Sequence, residues 1–335
     1  MHQRLFFLII IFHLAITGYA QEKRFSFSRS KMGSPFTIIF YDVDSLHAIK
    51  TADDCFNLVD SFVNIYSDYI DSSELNKLSN SASQNKYIPV TPALYDILLQ
   101  SQKAYQLSDG AFDITMGPLV KLWRKARKEK IFPDASAIKE EKELVGFDKV
   151  KLDTASKSVQ LLKPGMQLDL GGIAQGYIAQ KVLERLLLHS IKSALVDVSG
   201  DIVMSAPPPG KKGWTVGINL PERTDDLQKE KLLLQNCTVS TSGDVYQYME
   251  YGGKKYSHII NPRSGYGVTS QRNVTVIAGD GTTADWLATA CSILPVRKAK
   301  RLARKLNAAL MIAQIKNGKL ISHTTKNFKN YLLAE

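Results

Sequence analysis

Cysteine is scarce in this 335-residue chain: Cys55, Cys237 and Cys291, at scattered spacing. An odd, dispersed set offers neither a disulfide framework nor a soft-metal site. Cys55 and Cys291 lie among apolar residues in helix-like stretches and read as small buried side chains. Beyond the first twenty residues there is no apolar run long enough to span a bilayer. No Gly-x-Ser-x-Gly elbow occurs, since Val198-Ser-Gly lacks the preceding glycine, and Walker and dinucleotide fingerprints are missing too. Histidine is sparse, six in all and four beyond residue 20. The basic runs carry no interleaved aromatics of the kind that stack on bases, which excludes nucleic acid as the expected partner.

What is present reads as a folded, exported protein. Apolar residues make up 44% and charged residues 22%, the balance of a globular chain and not of a disordered one. Arg4, the apolar run Leu5 to Phe12 and the small residues around Gly18-Tyr19-Ala20 have the form of a secretory signal. The expected organisation is therefore a signal peptide over 1–20 and one domain over 21–335. No cysteine stands near the cleavage site to take a lipid. The expected location is exported and periplasmic, soluble or peripherally membrane-associated, without a transmembrane helix after cleavage. An oxidising compartment would allow one disulfide. The net charge of +11 is drawn partly from Lys121–Lys130 and Arg297–Lys305. These runs suit solvated helix faces, or attraction to phosphates or an acidic membrane surface.

Periodicity predicts a strand over Phe36–Phe40, an amphipathic helix over Ser45–Tyr66, a polar loop over Asp68–Asn85 and a helix over Pro92–Leu107. A loop from Ser108 leads to Pro118, which opens a basic helix. Short strands follow at Val150–Asp153, Ser158–Leu162, Ala194–Val198, Trp214–Ile218 and Cys237–Thr241, interrupted by a helix over Ile173–His189. A strand over Val274–Ala278, a helix over Thr283–Leu294, a charged helix and a strand over Ala309–Ala313 end the chain. Strands and helices mix without regular alternation, so the fold class is α+β and not a doubly wound sheet.

Several segments carry chemistry. In Asp169-Leu-Gly-Gly-Ile-Ala-Gln-Gly-Tyr177 an apolar run ends in an acid, paired glycines follow, and a helix begins. Such a ledge brings backbone N–H groups close to a phosphate, or simply permits a tight strand-to-helix turn. Asp285 and Thr289, four apart in a helix, share a face. A carboxylate beside a hydroxyl suits Mg²⁺ or Ca²⁺, with carbonyls, water and phosphates completing the shell; a capping aspartate is the alternative. His258 precedes an Asn-Pro turn closed by Gly265, as a proton carrier or as a structural histidine. In the loop after Asp109-Gly110, Phe112 either stacks on a flat ring or fills the core, and Asp113 is placed to accept a hydrogen bond. Asp197-Val-Ser-Gly-Asp201 and Ser240-Thr-Ser-Gly-Asp244 are acidic strand ends of the sort that line sites. Together these suggest a nucleotide whose phosphates react.

In this combination the chain resembles the ApbE family, the FAD:protein FMN transferases. The matching pieces run in family order: Met32-Gly33-Ser34, Tyr69 with Ser73-Glu74-Leu75, Asp109 to Asp113 with Gly117-Pro118, Asp169 to Tyr177, Val198 to Asp201, Ser240 to Asp244, His258-Ile-Ile-Asn-Pro262 and Ala284 to Thr289. The resemblance implies a T-fold-like α+β architecture with FAD in a cleft between subdomains. It also implies Mg²⁺-dependent transfer of FMN from FAD to a Ser or Thr hydroxyl of an acceptor protein, typically a subunit of a membrane redox complex, with release of AMP. By likeness, Met32, Tyr69, Ala111, Phe112, Asp113, Asp169, Gly172, Gln175 and Ile260 would contact FAD. Asp285, Thr289 and a backbone carbonyl near Ala174 would hold the metal, and His258 would take the proton. Gln175 stands where many relatives have Lys, and Asn261 where many have Asp. Two other readings stay open, an FAD pyrophosphatase that releases FMN and AMP, and a non-enzymatic exported flavin-binding protein.

Overall fold

The structure, a computed structural model, describes residues 21–218, 231–243, 248–316 and 319–333. The expected signal segment and Asp244 lie outside them. An antiparallel hairpin of β1 (Lys23–Lys31) and β2 (Ser34–Asp42) leads into α1 (Ser45–Tyr66), whose first turn is capped by Asp44 accepting from Leu46 N at 2.8 Å. Next come α2 (Glu74–Asn80), the two-residue β3 (Ile88–Pro89) and α3 (Pro92–Leu107). Thr91 caps α3 with Pro92 in its first turn, and the Glu74 carboxylate accepts from the Thr91 amide at 2.6 Å.

After α4 (Gly117–Glu129) and α5 (Ala135–Lys142), β4 (Val150–Asp153) and β5 (Ser158–Leu161) join β3 in a small sheet. Then follow α6 (Ala174–Leu188), β6 (Ala194–Val198), β7 (Asp201–Met204), the paired β8 (Trp214–Gly217) and β9 (Lys231–Leu234), and β10 (Cys237–Gly243). The hairpin of β11 (Tyr248–Tyr251) and β12 (Lys254–Ser257) precedes β13 (Arg272–Ala278), α7 (Gly281–Ile293), α8 (Val296–Lys305), β14 (Ala309–Lys316) and β15 (Lys319–Thr324).

The main sheet has eight strands in the order β1-β2-β6-β7-β10-β13-β14-β15, every neighbour antiparallel. Both of its faces are covered. Phe36, Ile38 and Phe40 of β2, Val274 and Val276 of β13, and Leu310 and Ile312 of β14 pack against α1, α6 and α7. The alternate residues Ile39, Ile277 and Met311 join Trp214, Leu232 and Phe328 on the other side. Successive side chains point to opposite faces, so a sheet covered on both sides reads as continuous apolar runs. A third cluster, built on Leu119, Trp123, Ile138, Met249 and Ile260, sits apart from these. The α+β expectation holds.

The expected loop over Asp68–Asn85 is corrected: it contains α2 and a 3₁₀ turn at Ser81–Gln84. Ser73 caps α2 by accepting from Asn76 N at 3.1 Å, and Leu75 and Leu78 are buried. Two apolar residues in seven are too few to show a period. β1 also went unread, because at this edge strand only Phe25 and Phe27 alternate with polar neighbours.

One contact fixes the helix layer. α6 and α7 cross at Gly176 and Gly281, where a Cβ on either glycine would lie 2.2 Å from the other's carbonyl oxygen. Gly281→Ala is therefore expected to destabilise the protein by about 3 kcal/mol or more, since the clash is with backbone that cannot rotate away. Gly279, with open space around its Cβ position, provides the control. Urea unfolding of Gly281→Ala and Gly279→Ala checks this, and equal stability of the two would refute the crossing as drawn.

Candidate active site

A cleft of about 340 Å³ opens between the main core and the third cluster. Its walls come from the loop before α4, the first turn of α6, the ends of β7 and β10, the segment after β12 and one face of α7. Each wall has a local cause. Asp113 accepts from the Thr115 amide at 2.9 Å and its hydroxyl at 2.7 Å, which ties the loop before α4. Asp169 accepts from Gly171 N at 2.7 Å, closing the turn into α6. After β12, Asn261 accepts from the Arg263 amide at 2.9 Å and its carbonyl from Gly265 N at 2.8 Å, so Asn261 shapes the turn. Trp123 Nε1 donates to the Gly265 carbonyl at 2.8 Å, and Arg263 donates to Asp109 Oδ2 at 2.6 Å.

The helix crossing brings the α6 ledge to α7. Gly176 N donates to Asp285 Oδ2 at 2.9 Å. A side chain on Gly172 would lie 3.0 Å from Thr289 Oγ1 and 3.3 Å from the Phe112 ring. The two sequence segments thus form one surface, with Asp285 only 5% exposed. Burial pushes the Asp285 carboxyl up to about 7, opposed by the Gly176 hydrogen bond. Asp201 is raised well above the carboxylate range by burial and then by the charge of Asp285. Ser240 Oγ donates to Asp201.

Two buried carboxylates crowded together are the environment that a hard cation relieves. Among the described residues no three His, Cys, Asp or Glu side chains form a metal cage. Asp285, the Thr289 hydroxyl and a backbone carbonyl would therefore leave the remaining positions to water and phosphate oxygens. That donor set fits Mg²⁺, which keeps several waters and takes one or two carboxylates.

Of the residues singled out from sequence, Tyr69, Ala111, Phe112, Asp113, Asp169, Gly172, Gln175, His258, Ile260, Asp285 and Thr289 all line this cleft. Ala174 opens α6 and is buried without lining it, so a carbonyl is what it has to offer. Met32 stands in the β1–β2 turn at φ 54°, partly buried against the core and outside the lining. Phe112 is 4% exposed with its ring 6.2 Å from Trp286, so it fills the core while edging the cleft. Tyr69 is 74% exposed, with the Arg124 guanidinium 4.1 Å from its ring centroid.

Arg124 and Arg127 belong to the basic run for which the sequence allows a solvated face or attraction to phosphates or an acidic membrane surface. Val120, Arg124 and Arg127 follow helical spacing on α4, and all three line the cleft. Arg124 pairs with Asp68 at 2.9 Å, while Arg127 Nη1 is buried with no hydrogen-bond partner among the described residues. Burial, then the Arg124 charge, lowers the Arg127 pKa.

The fold and site define a class: an α+β protein whose cleft joins a glycine turn, the Asp285–Thr289 helix face and a histidine. A family profile described as the ApbE family matches residues 32–312. The chain belongs to the ApbE family. It is 32% identical over 304 residues to the FAD:protein FMN transferase of Treponema pallidum, covering 86% of this chain and 83% of that one. With the FAD:protein FMN transferase of Klebsiella pneumoniae strain 342 it shares 30% identity over 303 residues, 90% and 92% of the two chains. The crystal structure of Pseudomonas stutzeri flavinyl transferase ApbE in its apo form superposes with a TM-score of 0.83 at 25% identity, covering 93% and 97%.

Asp113 gives a pH-dependent prediction. Burial raises its carboxyl from 3.8 to about 6, against the hydrogen bonds from Thr115. The folded state thus binds this proton more tightly than the unfolded chain. Its stabilising contribution is full below about pH 4 and is lost as pH rises through about 6. Asp113→Asn removes that dependence, so variant stability relative to the parent should be higher by about 3 kcal/mol at about pH 8 than at about pH 4. Urea unfolding across this range tests it, and a difference independent of pH would contradict it.

Proposed function

We propose that this protein is a Mg²⁺-dependent FAD:protein FMN transferase of the exported compartment, moving FMN from FAD to a Ser or Thr hydroxyl of an acceptor protein. The acceptor class is a flavin-carrying subunit of a membrane redox complex. One observation carries the reading: Gly172 stands against Thr289 and Gly176 donates to Asp285, so the glycine ledge and the hard-ligand pair are a single surface. Relatives named for this activity cover more than four-fifths of the chain.

The chemistry follows from the residues. The N–H groups of Gly172 and Gln175 would receive the diphosphate of FAD, since those of Gly171, Ile173, Ala174 and Gly176 donate within the protein. Asp285, Thr289 and the carbonyl near Ala174 would hold Mg²⁺, which when bound neutralises charge on the diphosphate oxygens. His258, on the facing wall, would accept the proton of the acceptor hydroxyl. The hydroxyl oxygen then bonds to the FMN phosphorus as the bond from that phosphorus to the bridging oxygen breaks, and AMP departs with that oxygen. Ala111 to Asp113, Asp169, Gly172, Gln175, Ile260 and Tyr69, which line the cleft, would position FAD. Gln175 puts a neutral amide where many relatives carry an ammonium, so it would hold the dinucleotide without adding charge.

The test is mass spectrometry of a candidate acceptor after incubation with FAD and Mg²⁺. An FMN adduct on a Ser or Thr is expected, absent with Asp285→Ala. His258→Ala should slow transfer by about 10²–10⁴-fold, the ordinary worth of a general base, with FAD binding retained. Rapid FMN and AMP release without acceptor, and no adduct with it, would establish the pyrophosphatase reading instead. Tight FAD binding with no AMP under any condition would establish the carrier.

A further inference from the structure

Residues 286–334 contain ten Lys or Arg and no Asp or Glu, so this stretch supplies +10 of the chain's net +11. The charge gathers on one surface. On α8, Arg297, Lys298, Lys300, Arg301, Arg304 and Lys305 face outward, while Ala299, Leu302 and Ala303 are buried beneath them. Among the described residues only Lys298 has a carboxylate within 4.0 Å, Asp109 Oδ2 at 3.9 Å. Beside the helix a groove of about 880 Å³ is lined by Arg297, Lys300, Arg304 and Lys326, with Thr324 and Asn327 adding polar groups. No large hydrophobic side chain is exposed on α8 or along this groove.

That composition selects the partner. A specific protein interface centres on buried apolar or aromatic anchors with charge at its rim, and this face has none. A single-stranded nucleic acid site stacks bases on aromatics, also missing here. A helix face of six cations beside a groove whose charged lining is all cationic fits a plane of anionic phosphates. We propose that α8 and its groove are an adsorption surface for anionic phospholipid bilayers. The inference stands apart from the catalytic reading, because none of these residues lines the cleft. It has a consequence for the cleft even so. Lys298 and Arg263 both reach Asp109, so the loops bounding the cleft sit at the rim of the adsorbed face.

The experiment is co-sedimentation of the purified protein with vesicles. Phosphatidylglycerol–phosphatidylcholine vesicles should bind it at low salt and release it at high salt, and pure phosphatidylcholine should not bind it. Each cation near an anionic surface is worth about fivefold in affinity, so Arg297→Gln/Lys300→Gln/Arg304→Gln should weaken binding by about hundredfold. The charge-matched control Lys125→Gln/Lys128→Gln/Lys139→Gln, on α4 and α5, should bind like the parent. Thermal melting of both variants establishes that they are folded. Equal loss in the two triple variants would show a net-charge effect and overturn the assignment to α8. Failure of the parent to bind at low salt would overturn the proposal, as would binding to acidic polypeptide such as polyglutamate in preference to the vesicles.

Discussion

The backbone contact between Gly176 and Gly281 is the constraint on which the site depends. Two helices normally pack with axes about 8–10 Å apart, held off by their side chains. Here neither helix has a side chain at the crossing, and each glycine position lies against the other's carbonyl. This close approach lets a main-chain N–H of α6 reach the Asp285 carboxylate directly. With larger residues at the crossing the helices would part. Asp285 would then lose its donor, and Thr289 would leave the Gly172 turn. Sheet and helix layer serve this crossing: β10 and β13 form the floor under α7, and α1 flanks α6.

The electrostatics of the cleft follow from that geometry. Asp113, Asp169, Asp201 and Asp285 are all largely buried around one space, and burial raises the carboxyl of each. A fold selected for stability alone would place apolar residues at such positions, because an unpaired buried charge is costly. The same cleft carries Arg124, paired with Asp68 and 3.9 Å from Asp169, and Arg127, with an unsatisfied nitrogen. Asp201 and Asp285 interact beside the helix crossing, whereas Asp68 and Asp169 share the Arg124 guanidinium where α4 passes Tyr69. An elongated ligand with unlike ends would meet unlike chemistry along such a cleft.

Much of this was legible in the sequence, and the limits have physical reasons. The Pro92–Leu107 helix was read to the residue because Thr91 and Pro92 mark its start and an apolar stripe runs its length. The Asp285–Thr289 spacing gave one helix face, and the paired glycines gave a ledge. That these two meet was implied by the family resemblance and not by spacing, since the contact depends on glycine in each of two helices about a hundred residues apart. The small helix α2 was hidden because its stability comes from a serine cap and two buried leucines, with no amphipathic run. Arg127 stayed unplaced for a related reason. A basic run on a helix looks solvated unless the neighbouring wall is known, and that wall comes from residues far along the chain.

The two halves of the site are mounted on different bodies. Asp285, Thr289 and Gly172 rest on the main core, where α6 and α7 pack on the eight-stranded sheet. His258 follows β12, whose Tyr256 stacks 5.8 Å from Trp123, and that belongs to the third cluster. Arg263 of this segment reaches Asp109 on the main-core side, and the start of α4 packs on that core at Gly117, where a Cβ would lie 2.6 Å from the Gln167 carbonyl oxygen. Exposed ion pairs hold little, typically under about 1 kcal/mol each. The histidine and the Asp285 pair thus stand on separate apolar clusters joined through the start of α4. The helix crossing fixes the glycine ledge against Asp285 independently of the wall that carries His258. That division suits a site in which one substrate must be gripped and a second, much larger one admitted.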